Sequence, residues 1–331
     1  MKILYVYRHS DLGYSIRKVF HPIEEEMKNY ADVDSIYLPI PNYSLKGLWE
    51  NIRYVQKHCK SKKYDIIHIT GTEHYLIPFL YGNKVVVTVH DLGRFFKLKG
   101  FQRWRYWIMQ VAVLKFANII TCISLKTFND IIKNVSISKD RMIVIPNAVD
   151  NEFTFYHKEF NYIKPTLLHI GTRPNKNLER SIIAMKDLNC KLRIVGKVSD
   201  SMVELLKNNR IEYDVVYNLS NDEIIQEYRE ADIINFPSLS EGFGMPIIEG
   251  QATGRVVVTS NMSPMKEVAG NGAVLVDPLS IESIRDAYMK IINDKVLRLK
   301  IIEKGKVNAT RYKVETIAEQ YINLYKMIES L

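Results

Sequence analysis

The sequence predicts an α/β protein of two domains, each built on a doubly wound parallel sheet. Its 331 residues exceed a single typical core and suit two domains of roughly 150 residues each. Short apolar runs alternate with amphipathic helical stretches, and this alternation restarts after a polar stretch at 150–164. A glycine turn near residue 242 joins a buried strand to a helix, a connection that favours phosphate.

The first half alternates regularly between strands and helices. Strands are predicted at 2–7, 35–38, 65–69, 84–89, 118–123 and 142–145, and helices at 14–30, 45–60 and 102–116 among others. Right-handed crossovers bring the loops after the strands to one edge of the sheet, where doubly wound folds bind ligands. Polar residues follow several of these strands, so this edge is the predicted binding edge.

The second half repeats the pattern after a linker at 150–164 that has no clear period. Strands are predicted at 166–170, 191–195, 215–217, 232–236, 256–260 and 273–276, with helices near residues 178, 202, 222, 245 and 266. Residues 281–331 read as almost continuous helix with one apolar face. We place the domain boundary between residues 157 and 158.

Charge is distributed unevenly between the halves. Of 46 basic and 37 acidic residues, 22 and 13 lie in residues 1–150, which leaves 24 of each in the remainder. The net charge of +9 therefore belongs to the first half, which indicates either an anionic partner or a solvated basic face. Candidate partners are anionic membrane headgroups, a phosphorylated lipid acceptor and nucleic acid.

Residues 97–116 interleave Lys and Arg with Phe, Trp and Tyr. Such a basic, aromatic, amphipathic segment can lie in a membrane interface, and an ordinary helix that covers the sheet is the alternative. Nothing else in the sequence supports nucleic acid as the partner. Peripheral association with an anionic membrane surface is therefore the open possibility.

Cysteine usage and the N-terminus predict a cytoplasmic protein. Cys59, Cys122 and Cys190 are isolated in apolar surroundings, which favours free thiols. The N-terminus turns polar after six residues, and no stretch is apolar enough to span a membrane. Asp32 and Asp34 form an Asp-x-Asp pattern, but it is predicted to lie in a turn without His or Glu, so no metal is expected.

The stretch DIINFPSLSEGFGMPIIEGQATG, residues 232–254, carries the most specific pattern. A buried strand leads to Glu241 and to two glycines, and a helix is predicted from Met245. Glycines let backbone N–H groups approach a ligand, and a helix N-terminus favours an anion. Glu241 and Glu249 flank this turn eight residues apart, where two carboxylates suit sugar hydroxyls. A plain strand-to-helix connection with two surface glutamates is the alternative.

The Glu-x7-Glu spacing in PSLSEGFGMPIIEGQATG resembles the signature of the family 4 retaining glycosyltransferases. The resemblance implies that Glu241 lies near the donor sugar, that Glu249 holds the ribose, and that the intervening amides meet the phosphates. It also implies two Rossmann-like domains facing across a cleft, the GT-B fold. The C-terminal helix, 313–331, would cross back to domain 1–157, leaving 158–312 as the nucleotide-sugar domain.

Two further motifs of the second half fit the same resemblance. In HIGTRPNKNL, Arg173 and Lys176 precede a helix, where cations are disfavoured unless an anion is present. They are either exposed cations or, as the resemblance implies, ligands of the pyrophosphate. The turn at 217–221 offers a helix cap, and the resemblance adds a nucleobase pocket there. The residues assigned to the nucleotide are Gly171, Asn218, Leu219, Ser220, Gly242, Phe243, Gly244, Met245 and Glu249.

Two motifs of the first half carry weaker assignments. His90 and Asp91 end the apolar strand KVVVTVHD, either as a structural pair or as polar groups at the binding edge. TVHDL resembles a family 4 segment whose histidine approaches the donor sugar. The family often has two adjacent glycines after the first strand, where this chain has Gly13 and Tyr14. Gly13, Tyr14 and Asp91 are therefore assigned to the acceptor or sugar side.

The predicted function is transfer of a sugar from a UDP- or GDP-sugar to an acceptor hydroxyl, with retention, in envelope polysaccharide or glycolipid synthesis. No cofactor is expected, because cations and amides can stabilise the departing diphosphate without a metal. The expected partners are the nucleotide sugar, a saccharide or lipid-linked acceptor, and an anionic membrane surface. Alternatives are a sugar-nucleotide epimerase on the same fold and a non-catalytic docking protein. The predicted catalytic residues are His90, Arg173, Lys176 and Glu241.

Overall fold

The computed structural model describes residues 1–12, 14–41 and 44–330, without the side chains of Tyr14 and Ser15. Gly13 and the Tyr14 side chain, both assigned to the acceptor or sugar side, therefore lie outside the described part. The chain divides into two compact units. One contains Met1–Asp150 and Val314–Leu331, and the other contains Asn151–Lys313.

Strands and helices alternate through both units, as the apolar periodicity predicts. The strands are β1 (Lys2–Tyr7), β2 (Asp32–Tyr37), β3 (Ile66–Ile69), β4 (Val85–Val89), β5 (Ile119–Cys122), β6 (Met142–Val144), β7 (Thr166–Ile170), β8 (Lys191–Val195), β9 (Glu212–Val216), β10 (Ile233–Phe236), β11 (Val256–Ser260) and β12 (Val274–Val276). The α-helices are α1 (Tyr14–Met27), α2 (Leu45–Ser61), α3 (Gly93–Lys97), α4 (Gly100–Tyr106), α5 (Leu125–Asn134), α6 (Leu178–Ala184), α7 (Asp200–Asn208), α8 (Asn221–Glu230), α9 (Met245–Ala252), α10 (Met265–Ala269), α11 (Ile281–Asn293), α12 (Lys295–Ala309) and α13 (Val314–Glu329).

Each unit contains a six-stranded parallel sheet. The order is β2-β1-β3-β4-β5-β6 in the first unit and β12-β11-β10-β7-β8-β9 in the second. Strands β3, β4, β5, β10 and β11 are buried at every position, as expected where helices cover both faces of a parallel sheet. The predicted fold class of doubly wound parallel sheets is confirmed.

Helix α13 packs on the first unit because its aromatic face joins that unit's core. Its main helix neighbour is α1. The Tyr325 hydroxyl lies 2.5 Å from His68 Nδ1 and 3.1 Å from the Tyr5 hydroxyl, and the Tyr321 hydroxyl lies 3.2 Å from Thr88 Oγ1. All of these side chains are buried, so the last helix completes the hydrophobic core of the first unit.

Two strands begin earlier than predicted. β2 starts at Asp32 and not at 35, because its backbone pairs in parallel with β1 from Lys2 onward. The Asp-x-Asp pattern is therefore in a strand and not in a turn. Asp34 accepts hydrogen bonds from Tyr64 at 2.6 Å and from Lys62 at 2.9 Å. β9 likewise starts at Glu212, where it pairs with β8.

The segment predicted as one helix at 102–116 changes pitch twice. Helix α4 ends at Tyr106, a π-helical turn covers Trp107–Val111, and a 3₁₀ turn covers Ala112–Phe116. These changes accompany the burial of Gln110, which a regular amphipathic pattern would not place inside. Its side-chain carbonyl accepts a hydrogen bond from the His74 backbone N–H at 3.3 Å.

Candidate functional site

The second unit has a topological switch point between β7 and β10. These strands are neighbours, with Leu167 opposite Ile233 and His169 opposite Asn235. From β7 the chain continues to β8 and β9 on one side, whereas from β10 it continues to β11 and β12 on the other. The loops after β7 and β10 therefore flank a crevice at the carboxyl edge of the sheet, which is where doubly wound folds bind ligands.

An ion pair joins these two loops. Lys176 Nζ, from the loop after β7, lies 2.7 Å from Glu241 Oε1, from the loop after β10. Asn175 Nδ2 donates to the Ser240 carbonyl at 3.0 Å and lies 3.3 Å from Glu241 Oε1. The Lys176 and Glu241 side chains are only 19% and 15% exposed. A partly desolvated cation and a carboxylate thus meet at the switch point.

The loop after β7 has a backbone shape that lets Lys176 fold over it. Gly171 has φ +87°, and an added Cβ would lie 3.2 Å from both Cγ and Cε of Lys176. Lys176 Nζ also lies 4.7 Å from the centre of the Phe236 ring, at the end of β10. Arg173 precedes the 3₁₀ turn Pro174–Lys176 and is exposed. Lys176 therefore belongs to the crevice, whereas the Arg173 side chain is exposed to solvent.

The loop after β10 leads directly into a helix N-terminus. Gly244 has φ +119° and immediately precedes α9, where a side chain would contact Ile247 at 3.0 Å. Phe243 is buried, and its ring packs edge-on against Tyr312 with centroids 5.7 Å apart. The buried Phe243 side chain thus fixes the loop on the second unit, and only the backbone groups of Phe243 can contact a ligand. The start of α9, at Met245, contributes the positive end of a helix dipole.

A buried phenol, which the sequence analysis missed, holds Glu249. The Tyr228 hydroxyl of α8 donates a hydrogen bond to Glu249 Oε2. Tyr228 is fully buried, and burial first and the Glu249 carboxylate second raise the pKa of this phenol well above its ordinary value. Tyr228 therefore remains a donor at every physiological pH. From the sequence, Tyr228 reads only as a core residue on the buried face of a helix. No local pattern distinguishes it from other core residues.

The turn predicted as the nucleobase pocket also caps α8. Ser220 and Glu223 form a reciprocal capping box at the N-terminus of that helix. Asn218 is exposed and has φ +58°, a left-handed conformation that asparagine tolerates. Leu219 lies between them, partly buried. The Ser220 side chain is committed to the helix, which leaves backbone groups for any contact with a base.

A buried histidine lies close to the loop after β7. His169, at the end of β7, is fully buried, and Asn235 Nδ2 donates to its Nδ1 at 3.0 Å. Asn235 Oδ1 in turn accepts a hydrogen bond from the Tyr288 hydroxyl at 2.8 Å, which fixes the orientation of the amide. Burial first and then Lys176 lower the pKa of His169 to about 3, so the ring is neutral and Nε2 carries its proton.

In the first unit, β1 and β3 form the corresponding switch point. Arg8 Nε, just after β1, donates to Glu73 Oε1, just after β3, at 2.8 Å. The sequence analysis predicted polar residues after the strands at this edge but did not predict this ion pair. Gly71 lies against it, since an added Cβ would be 3.0 Å from Glu73 Oε2. The ion pair therefore shapes this edge of the first sheet.

His90 lies at the same edge and is held by the turn after β3. His90 Nε2 lies 2.8 Å from the Thr70 carbonyl, so Nε2 carries the proton and Nδ1 is an acceptor. Burial lowers the pKa of His90, which makes the neutral ring the stable form near pH 7. Asp91 is exposed, and its Oδ1 accepts a hydrogen bond from Gly93 N at 2.6 Å. Asp91 thus accepts from the backbone N–H of the first residue of α3.

Other features bear on cofactors and location. In the described part of the chain, no three His, Cys, Asp or Glu side chains are grouped so that they could hold a metal. Cys59, Cys122 and Cys190 are free thiols, and burial raises the pKa of each. Among the described residues, no helix has the length and apolarity needed to cross a bilayer.

Comparison with known proteins gives consistent matches over both units. The family model described as "Glycosyl transferases group 1" matches residues 153–308, and that described as "Glycosyltransferase Family 4" matches residues 16–153. An uncharacterized glycosyltransferase of Methanocaldococcus jannaschii is 26% identical over 77% of this chain and 73% of its own. The O-antigen chain mannosyltransferase RfbU of Salmonella typhimurium is 27% identical over 66% of this chain and 64% of its own.

Solved structures share the fold over the full chain. A glycosyltransferase from Rickettsia africae superposes with a TM-score of 0.79 at 18% identity, covering 99% of this chain and 98% of that one. HepE from Anabaena, solved in complex with UDP and glucose, superposes with a TM-score of 0.78 at 16% identity, covering 99% of this chain and 100% of that one. These similarities establish the two-domain GT-B architecture.

Proposed function

Because the chain belongs to the family 4 glycosyltransferases, we propose that it transfers a sugar from a UDP- or GDP-sugar to an acceptor hydroxyl with retention at the anomeric carbon. The observation that carries this proposal is the meeting of Lys176, Glu241 and the N-terminus of α9 at the switch point of the second sheet. A cation, a carboxylate and a helix N-terminus in one crevice match the charges and hydroxyls of a nucleotide-diphosphate sugar.

The diphosphate is the leaving group, and the proposed site opposes its developing charge with fixed positive groups. Lys176 would exchange its contact with Glu241 for a phosphate oxygen, and Arg173 would swing in from solvent. The backbone of residues 242–245 and the α9 dipole would meet the remaining oxygens. We propose that these groups make the transfer independent of a divalent metal.

The nucleoside contacts follow from the same geometry. Glu249, oriented by Tyr228, would accept hydrogen bonds from the two ribose hydroxyls. Backbone groups of Asn218, Leu219 and Ser220 would contact the base. Gly171, in the loop that carries Lys176, would lie beside the phosphates. Because backbone groups are common to every sequence, this part of the site leaves the choice between UDP and GDP to experiment.

Two side chains are proposed to contact the sugar. Glu241, released from Lys176, is assigned to the sugar hydroxyls, and His90 is the residue of the first unit that we assign to the sugar. The neutral His90 ring carries a proton on Nε2 and an acceptor on Nδ1, so it suits a hydroxyl contact. Gly13, Tyr14 and Asp91 remain assigned to the acceptor or sugar side.

The acceptor is proposed to be a growing envelope polysaccharide or glycolipid, since two relatives are named O-antigen chain mannosyltransferases. We propose that the first unit docks at the inner face of the cytoplasmic membrane. Phe101 and Trp104 on α4 are 72% and 57% exposed, beside the cations of residues 97–105. Exposed aromatic rings among cations are typical of a surface that binds anionic lipid.

The test is nucleotide release from UDP- and GDP-linked glucose, galactose, N-acetylglucosamine and mannose, with and without EDTA. Lys176→Ala and Glu249→Gln are compared with Lys207→Ala, an exposed lysine of α7 in the same unit. We expect the native chain to release nucleotide from one of these donors. Both site variants should release it at least tenfold more slowly, which corresponds to a barrier higher by on the order of 1.4 kcal/mol, and the control variant should stay within twofold of the native rate.

Four outcomes would contradict parts of this proposal. If Lys176→Ala and Glu249→Gln are as active as Lys207→Ala, the assignment of the nucleotide-sugar site is wrong. Loss of activity in EDTA would remove metal independence, and an inverted anomeric configuration in the product, read by NMR, would remove retention. An altered sugar nucleotide formed without any acceptor product would favour an epimerase.

A further inference from the structure

Helices α3 and α4 and the π-helical turn after them line a half-open pocket of about 220 Å³ in the first unit. The loops after β7 and β10, which are proposed to bind the nucleotide sugar, belong to the second unit. The walls of the pocket combine two guanidinium groups with apolar side chains, the exposed amide of Gln102 and one buried amide. The residues that matter here are Arg94, Leu98, Arg105, Tyr106, Met109 and Gln110.

The two guanidinium groups are available to an anion. Neither Arg94 nor Arg105 forms an ion pair with any residue that the structure describes, and both are exposed. The Arg94 guanidinium carbon lies 5.7 Å from the centre of the Tyr106 ring, a contact that restrains the arginine at the pocket wall. Arginine binds phosphate with two parallel hydrogen bonds, so two such groups around one pocket favour a phosphate ligand.

The remaining walls favour an apolar stem on that ligand. Leu98, Tyr106 and Met109 line the pocket, and Met109 is packed partly against the core of the first unit. A free phosphate would leave these side chains in contact with water. An amphiphile would cover them while its phosphate met the arginines. The combination therefore favours a phosphate that carries a hydrocarbon chain.

The pocket is connected to the binding edge of the first sheet through Gln110. His74 Nδ1 donates to the Gln110 carbonyl at 2.6 Å, and the Gln110 side chain accepts from His74 N. His74 directly follows the turn whose Thr70 carbonyl holds His90. A ligand in the pocket would therefore be anchored beside the turn that positions His90. π-Helical turns such as Trp107–Val111 recur at functional sites.

We propose that this pocket binds the phosphate and the first methylenes of a lipid-linked acceptor. The inference rests on the proposed transferase function for its catalytic consequence, but the binding itself does not. A phosphate held by Arg94 and Arg105 would fix one end of the acceptor in the first unit. It would also select acceptors in which the sugar is attached to a lipid through phosphate.

The binding test uses the full chain and three probes: monomeric decyl phosphate, inorganic phosphate and the neutral decyl maltoside. Fluorescence of Trp104 and Trp107, the sequence neighbours of the lining residues Arg105 and Tyr106, provides the signal. The variant is Arg94→Gln with Arg105→Gln, and its charge-matched control is Lys57→Gln with Lys60→Gln, two exposed lysines of α2 in the same unit. Leu98→Trp fills the pocket without changing charge.

We expect native protein to bind decyl phosphate at least tenfold more tightly than either other probe. The arginine double variant and Leu98→Trp should each weaken this binding at least tenfold, and the lysine double variant should change it less than twofold. Equal loss in the lysine variant would indicate diffuse attraction to anionic lipid and would overturn the proposal. So would unchanged binding in the arginine variant, or equal binding of the neutral probe.

A second readout separates this inference from the proposed function. Hydrolysis of the donor by water needs only the donor site, so the arginine double variant should retain it within twofold. If the native chain binds decyl phosphate as expected but hydrolyses no nucleotide sugar, the transferase proposal fails and the proposal for the pocket is retained. If donor turnover is normal and decyl phosphate does not bind, the pocket proposal fails alone.

Discussion

At the scale of single residues, the contact between Glu249 and Tyr228 shows how the proposed ribose site is prepared. A carboxylate that must meet two hydroxyls is more effective when its rotamer is set before the ligand arrives. The buried Tyr228 hydroxyl occupies one oxygen of Glu249 and orients the other. Tyr228 is thus a positioning residue, and its effect should appear in nucleotide affinity.

Tyr228→Phe should raise the KM for the nucleotide sugar by about tenfold while kcat changes little, because a hydrogen bond to a charged group contributes about 1.5 kcal/mol or somewhat more. Steady-state kinetics check this. Tyr288→Phe is the matched control, since it removes another buried hydroxyl of the same unit, one bonded to Asn235 and not to Glu249. Equal changes in KM for both variants would show a general loss of packing and contradict the positioning role.

Gly250 lies inside α9 for a steric reason. Glycine in an ordinary helix costs about 1 kcal/mol relative to alanine. Here an added Cβ would lie 2.6 Å from Ile234 Cγ1 and 3.1 Å from Val257 Cγ2, on the two neighbouring strands. The helix therefore packs on the sheet more closely than a side chain allows, which sets the position of Glu249 and of the glycine turn.

Gly250→Ala should accordingly destabilise the protein by about 1–3 kcal/mol, in spite of the better helix propensity of alanine. Urea unfolding measures the change. In a background that carries Ile234→Ala, where the obstructing atom is absent, the same substitution should cost less. A variant that is more stable than the native chain would contradict the close approach of α9 to β10.

At the scale of elements, the N-terminus of α8 combines a helix cap with the turn proposed to hold the base. Ser220 and Glu223 satisfy each other's backbone N–H groups, so the cap is complete without a ligand. The turn before it is therefore ordered in the free protein. If the base is bound through backbone groups, the Ser220 hydroxyl should matter for stability and not for the choice of base.

Ser220→Ala should lower the free energy of unfolding by about 1 kcal/mol, the usual cost of losing such a cap. The ratio of UDP-sugar to GDP-sugar turnover should stay the same. Ser199→Ala, which removes the cap of α7 in the same unit, is the comparison for stability. A changed nucleotide preference in Ser220→Ala alone would mean that the hydroxyl contacts the base.

At the scale of the whole molecule, buried imidazoles make stability depend on pH. Burial lowers the pKa of His68 and His169 to about 3 and that of His74 to about 4. In the unfolded chain each titrates near pH 6.5. Between these values the unfolded chain binds more protons than the folded one. Stability is therefore complete above pH 6.5 and falls as the pH decreases toward 4.

Below pH 6, the free energy of unfolding should fall by about 1.4 kcal/mol per pH unit for each such histidine. Urea midpoints at pH 7.5, 6.5, 5.5 and 5.0 measure it. His74→Gln should have a smaller pH slope than the native chain by one proton, whereas substitution of an exposed residue such as Lys207→Ala should leave the slope unchanged. A midpoint that is constant from pH 7.5 to 5.0 would contradict the neutral buried imidazoles.

The sequence by itself determined the architecture and the family. Apolar strands alternating with amphipathic helices predict parallel sheets, because strand and helix preferences are set by neighbours within a few residues. Strands β1, β7, β8 and β11 have the predicted limits. The Glu-x7-Glu signature, also a local pattern, predicted the glycosyltransferase family, and the family models confirm it.

Only the tertiary structure decided which side chains meet. Lys176 reaches Glu241 across 65 residues and Tyr228 reaches Glu249 across 21, because strand order at the switch point brings distant loops together. The pitch changes after α4, the pocket beside them and the close approach at Gly250 likewise depend on packing against elements remote in the chain. Local patterns specify which elements form, whereas contacts across the sheet specify the geometry of the site.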